Sequence, residues 1–162
     1  MTPDEYLYAE KRGEIRHEFV RGQLFDNVGG TDTHNLISLN IASGLREHLR
    51  RQPCRVFMAD MKVRVAAADV FYYPDVFVTC DSSDREAYFK EKPCLIVEVL
   101  SESADGTDPR EKFLAYELLE SLKDSSLFNR RAGRSNCFGE IRRTVRGPGQ
   151  FIRVRKKSCS SH

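Results

Sequence analysis

The sequence predicts an α/β (α+β) domain: a small central mixed β-sheet flanked by helices. Three observations lead there. Two segments open on the same helix-start signature, Thr2-Pro3-Asp4-Glu5 and Asp108-Pro109-Arg110-Glu111: a capping side chain, a proline at the first helical position and an acid placed to complete a capping box. Between them, apolar residues at helical spacing give way to short extended segments. The last of these, Cys94-Leu-Ile-Val-Glu-Val-Leu100, is a continuous apolar run between Pro93 and Ser101, as expected of a strand buried on both faces.

In chain order, the first helix starts at Thr2 and stops at Gly13. Ile15 to Val20 and Gln23 to Val28 read as a hairpin turning at Arg21-Gly22. Gly29-Gly30-Thr31-Asp32 is a turn into a helix over about Thr33 to Arg51, with Leu36, Ile37, Ile41, Leu45 and Leu49 on one face. Arg55 to Ala59 and Met61 to Val65 read as one bent strand, and Val70 to Tyr73 as continuing into Asp75 to Cys80. Asp81 to Lys92 is polar and reads as a mobile loop. After the Cys94 to Leu100 strand and a loop of small and acidic residues, a final helix runs from Asp108 to about Lys123. Beyond Asp124 only Gln150 to Val154 has strand character.

A chain of 162 residues can bury one substantial core. Its net charge of +2 conceals an asymmetry: residues 125–162 hold ten Lys/Arg against one acid, Glu140, whereas residues 1–124 hold 16 bases and 23 acids. The expected division is therefore a domain over 1–124 and a basic C-terminal tail over 125–162, suited to contacting phosphates; its competing account is a solvated tail of aberrant composition. No stretch is apolar enough for a membrane helix, and the acidic N-terminus lacks a signal-peptide core. Five cysteines without CxxC spacing, with Cys54 and Cys94 at strand starts, read as small core hydrophobes in a cytoplasmic protein.

The chemistry lies in misplaced charges. Glu98 sits inside the buried run, where an unpaired carboxylate costs several kcal/mol or takes up a proton unless a cation shares the site. Asp75 follows Pro74 in a second apolar segment, and a proline there marks a bulge or strand edge that can aim the carboxylate outward. Two inward carboxylates on neighbouring strands suit Mg²⁺, or Mn²⁺ in its place. The plainer account has Asp75 capping a turn and Glu98 pairing with an arginine. For the cation of a hydrolytic site, Lys112 is favoured, since Tyr116 and Leu119 share its inward helix face. Lys62 competes, against a reading as a charge on the outer face of an alternating strand. Glu18 offers a third carboxylate, and His34 opens the long helix, whose N-terminus can hold a phosphate. No P-loop, dinucleotide fingerprint or nucleophile elbow is present.

Pro74-Asp75, Ile96-Val97-Glu98-Val99-Leu100-Ser101 and Glu111-Lys112-Phe113 with Tyr116 resemble, in order, the motifs of the Uma family within the PD-(D/E)XK, restriction-endonuclease-like superfamily. The likeness extends to Glu14-Ile-Arg-His-Glu-Phe-Val20, to His34 with Asn40 and to Asp60-Met-Lys-Val-Arg-Val65, and spans about residues 2–124. It implies a restriction-endonuclease-like fold, Mg²⁺-dependent hydrolysis of phosphodiesters with DNA as the nucleic-acid partner, and a homodimer. It also implies Asp75 and Glu98 as metal ligands and Lys112 as the catalytic lysine. Two departures stand out. The superfamily lysine normally lies two residues after the acid, where this chain has Leu100, and the family pattern gives way after Asp124. Two alternatives stand beside that activity: a non-catalytic nucleic-acid-binding or assembly module of the same fold, working through the basic tail, and an inactive truncated relative.

Overall fold

The computed structural model describes residues 1–27, 29–100, 108–129 and 142–143. Within them the chain forms α1 (Pro3–Glu10), β1 (His17–Val20), β2 (Gln23–Asp26), α2 (Asp32–His48), β3 (Arg55–Met58), β4 (Lys62–Val65), β5 (Val70–Tyr72), β6 (Val76–Thr79), β7 (Phe89–Lys90), β8 (Leu95–Leu100), α3 (Pro109–Tyr116), β9 (Asp124–Asn129) and β10 (Arg142–Arg143). Thr2 caps α1 in the reciprocal capping box its sequence predicts: its side chain accepts from the Glu5 amide, and Glu5 accepts from the Thr2 amide. The β1–β2 hairpin closes on Arg21 and Gly22, both at positive φ (48° and 88°), the backbone a two-residue hairpin turn requires.

The α+β class holds, with the strands shared between two five-stranded mixed sheets, ordered β2-β1-β5-β4-β7 and β10-β9-β8-β6-β3. The two expected bent strands are in fact crossings from one sheet to the other. β3 and β4 separate at Ala59, whose φ is 33°, and β5 and β6 separate at Tyr73-Pro74-Asp75. A proline cannot donate to a ladder, so Pro74 ends the pairing of the first sheet just where the chain leaves it.

Strand alternation sorts the core into layers. Val76, Val78 and Val97 turn to α2, meeting Ala42, Leu45 and Leu49. Phe77 and Ile96, on the opposite face of the same strands, pack with Val63, Val65, Val70 and Tyr72 of the other sheet and with Ala115 and Tyr116 of α3. Phe19, Phe71 and Phe89 leave the β2-β1-β5-β4-β7 sheet on its far side and cluster around Tyr6 of α1. The layer order is thus α2, sheet, sheet, α1, with α3 closing the seam between the sheets. Phe77 is fully buried at that seam and stacks on Phe57 at 5.1 Å. Phe77→Ala is expected to cost about 3–5 kcal/mol, measured by urea unfolding; a cost below about 1 kcal/mol would show a seam loose enough to collapse.

Four further expectations are corrected. The 81–92 loop is tied down, because the buried Asp84 carboxylate accepts from the amides of Glu91 (3.2 Å) and Lys92 (2.9 Å), and residues 89–90 form β7 alongside β4. The last helix ends at Tyr116 and continues as turns, short of Lys123. Cys54 is joined to Cys80 in a disulfide across the ends of β3 and β6, with the Cys94 sulfur 3.5 Å from that of Cys80. Order does not fade at Asp124 either: β9 pairs in parallel with the whole of β8, from Leu95↔Asp124 to Leu100↔Asn129. The strand expected at Gln150 to Val154 lies outside the described residues.

Candidate active site

Five of the six singled-out residues meet at the seam between the sheets. Glu98 shares its face of β8 with Ile96, and Glu18 shares its face of β1 with Val20, so both carboxylates enter the layer between the sheets. Asp75 stands where the chain crosses into β6, beside β8, as its expected place on an adjacent strand requires. Lys112 is in the first turn of α3, and Tyr116, one turn on, is fully buried below it. His34 is in the first turn of α2, whose cap Thr31 accepts from the His34 amide at 3.2 Å.

Every charge in this group has a protein partner. Lys112 Nζ donates to Glu18 Oε1 at 2.6 Å and lies 5.5 Å from the centroid of the Tyr72 ring. The same Glu18 oxygen accepts from the Tyr73 amide at 3.1 Å. Asp75 Oδ2 accepts from the Val99 amide at 2.6 Å, and Asp75 Oδ1 lies 3.1 Å from His34 Nε2. Glu98 Oε1 accepts from the Tyr116 hydroxyl at 2.8 Å, and its second oxygen has no partner among the described residues.

These surroundings set the protonation states. Burial pushes the Glu98 carboxyl up to about 7, against the pull of Lys112 and helped by the negative charge of Asp75. Burial opposes the charge of Lys112, but Glu98 and Glu18 outweigh it and hold the ammonium above the ordinary lysine value. His34 is raised by its hydrogen bond to Asp75, with burial working the other way. Burial, then the Glu98 charge, pushes Tyr116 well above the ordinary tyrosine value, so it stays a donor.

The donor set suits a hard divalent cation. Asp75, at the entrance to β6, and Glu98, on the neighbouring β8, are both carboxylates, and among the described residues nothing engages the second Glu98 oxygen although only 7% of the residue's surface is exposed. Among the described residues no three His, Cys, Asp or Glu side chains form a ready-made cage. Mg²⁺ does not need one, since it binds through one or two carboxylates and retains its waters.

Lys62 does not join them. It points to the α1 side of its sheet, as the alternation of β4 requires, and it is buried there, so it lies apart from this group and is not the exposed charge its pattern suggests. Its ammonium donates to the Tyr73 hydroxyl at 3.2 Å, which donates in turn to Glu10 at 2.8 Å. Sequence reasoning missed the two tyrosines that hold the carboxylates, Tyr116 through its hydroxyl and Tyr73 through its amide. Tyr116 carried a signal in its spacing from Lys112 and its place in the family motif, without a role being read from either; Tyr73 carried none.

The model of the Uma2 family, described as "Putative restriction endonuclease", matches residues 3–152 of this chain. The chain belongs to the Uma2 family. The match passes beyond Asp124, where the family pattern read from the sequence stopped, so residues up to 152 also carry Uma2 character. Two curated relatives are uncharacterized proteins of Synechocystis sp. (strain ATCC 27184 / PCC 6803 / Kazusa). The protein slr1290 is 36% identical over 76% of this chain, which spans 66% of that relative's length. The protein sll1609 is 30% identical over 80% of this chain and 75% of its own length. A crystal structure titled "a putative nuclease belonging to DUF820", from Anabaena variabilis ATCC 29413, superposes with a TM-score of 0.62 at 16% identity. It covers 87% of this chain and 83% of that one. At that identity the likeness establishes the restriction-endonuclease-like fold alone. No helix among the described residues is long and apolar enough to cross a membrane.

Proposed function

We propose that the chain is a metal-dependent endonuclease that hydrolyses phosphodiester bonds, with DNA as substrate and Mg²⁺ or Mn²⁺ as cofactor. The observation that carries it is the gathering of Glu18, Asp75, Glu98 and Lys112, from β1, the β5–β6 crossing, β8 and α3, at the seam between the sheets, where Lys112 bonds Glu18 and the charges of Lys112, Asp75 and Glu18 all act on the Glu98 carboxyl. Asp75 and Glu98 would hold the ion, which when bound supplies Lewis acidity at the phosphate and lowers the pKa of water. Lys112, kept protonated by Glu18 and Glu98, is placed to steady the attacking water or the phosphate charge. Tyr116 orients Glu98, and the Val99 amide orients Asp75.

Nicking of supercoiled plasmid tests this directly. Cleavage is expected with Mg²⁺ or Mn²⁺, none with a chelator, and a loss of about 100-fold or more in Glu98→Ala or Lys112→Ala. Cleavage by a chelated sample or by Glu98→Ala would refute the assignment. A second reading rests on the charge of residues 125–162: binding to nucleic acid without cleavage, falling steeply with salt and indifferent to divalent ions.

A further inference from the structure

We propose that Cys54, Cys80 and Cys94 form a thiol–disulfide exchange site. In it the bridge passes from Cys54–Cys80 to Cys80–Cys94, and the released Cys54 thiol becomes the point of attachment for an acidic small-molecule disulfide.

Topology gathers the three sulfurs. β8, β6 and β3 are neighbours in that order in one sheet, and β6 runs antiparallel to the other two. Cys54 immediately precedes β3, Cys80 immediately follows β6 and Cys94 immediately precedes β8, so all three stand at the same end of the sheet. Cys80, on the middle strand, is within reach from either side. It is bonded to Cys54, and the sulfur of Cys94, a free thiol, lies 3.5 Å from its own. The Cys94 amide donates to the Val78 carbonyl at 2.8 Å, which holds that residue against β6. None of the three is sealed in the core, since each keeps part of its surface exposed.

A thiolate beside a disulfide exchanges with it. Cys94 gives up its proton and attacks the Cys80 sulfur. The Cys80–Cys94 bond forms, the Cys54–Cys80 bond breaks, and Cys54 leaves as a thiolate, so the step balances without an oxidant. Its surroundings favour that leaving group. The exposed Arg51 and Arg55 flank Cys54 in the run Arg50-Arg51-Gln52-Pro53-Cys54-Arg55, and neighbouring cations stabilise a thiolate. Burial, by contrast, pushes the Cys94 thiol up, so the resting bridge is Cys54–Cys80 and exchange is slow.

The same arginines select the reagent. A Cys54 thiolate attacks one sulfur of a small disulfide and expels the other as a thiolate, leaving a mixed disulfide on Cys54. A disulfide that carries carboxylates is drawn to this cationic run, and a cationic one is repelled.

Thiol mapping of the full chain tests this, because trypsin leaves each of the five cysteines on its own peptide. The chain is oxidised to the Cys54–Cys80 form, held at pH 8 alone or with oxidised glutathione, quenched with acid and N-ethylmaleimide, and mapped without reduction. Alone, a Cys80–Cys94 bridge is expected to appear with the label on Cys54, to the same extent at every protein concentration. With oxidised glutathione the adduct is expected on Cys54, forming about tenfold or more slowly in C94S, which cannot release that thiol. Cystamine, a dicationic disulfide, is expected to react several-fold more slowly than glutathione. In C54S, oxidation is expected to join Cys80 to Cys94 directly.

The wild-type map decides even where a variant does not fold. A chain that shows only Cys54–Cys80, or forms no bridge under oxidant, overturns the proposal. So does a Cys80–Cys94 bridge that grows with protein concentration, an adduct on Cys94 in place of Cys54, or an equal rate of adduct in folded C94S. Equal rates with the two disulfides overturn the acidic class of partner. None of these measurements depends on cleavage, so their failure leaves the nuclease reading untouched.

Discussion

Without divalent ions at pH 8, Glu98→Gln is expected to be more stable than the wild-type chain by up to about 3 kcal/mol. The Glu98 carboxyl is raised from 4.5 to about 7, chiefly by burial. Below pH 4.5 the group is protonated in folded and unfolded chains alike, so it costs nothing. As pH rises, the unfolded chain ionises first, and the folded chain has surrendered the full difference once pH passes about 7. Each unit of that gap is worth about 1.4 kcal/mol. A glutamine keeps the shape and can still accept from Tyr116, but it has no charge to desolvate. Guanidinium titrations at pH 5, 6, 7 and 8 in chelator are expected to show wild-type stability falling with pH and a flatter profile for the variant. Parallel profiles would mean that Glu98 ionises freely. The same substitution is expected to abolish cleavage, so stability and activity move in opposite directions at one residue, as a buried site under functional strain predicts.

Lys112→Met is expected to destabilise the fold by about 3–5 kcal/mol, because it strands a buried Glu18 carboxylate whose remaining partner among the described residues is the Tyr73 amide. Glu18→Gln in the same chain is expected to restore most of that loss, since replacing both members of a buried pair leaves no uncompensated charge. Activity is not expected to return with it. A double-mutant cycle by urea unfolding checks the coupling, and strictly additive costs would show that the 2.6 Å contact contributes nothing beyond its parts.

The parts of the fold legible in the sequence are those with local causes. The capping box at Thr2 and the Arg21-Gly22 turn are determined by neighbouring residues, and both form as read. Glu98 was legible because a charge interrupts an apolar run, and Lys112 because Tyr116 and Leu119 mark its helix face as the inward one. The rest depends on distant partners. Nothing near Ala59 announces that the chain changes sheets there. Asp124-Ser-Ser-Leu-Phe-Asn129 has the composition of a loop and is a strand because β8 offers it a ladder. Phe89-Lys90 is too short to show a period. Lys62 shows the limit of alternation: the pattern gives its face of the sheet, but only the placement of α1 decides whether that face is wet.

The parallel ladder between β8 and β9 bears on how the basic segment can be studied. Shortening the chain at residue 123 removes a cationic stretch, but it also bares the outer margin of the strand that carries Glu98, leaving its amides and carbonyls open to any extended peptide. Such a product is prone to self-association through that margin, and a loss of nucleic-acid binding in it could reflect aggregation rather than lost charge. Charge-neutralising substitutions beyond Asn129 separate the two effects, because they leave the ladder whole.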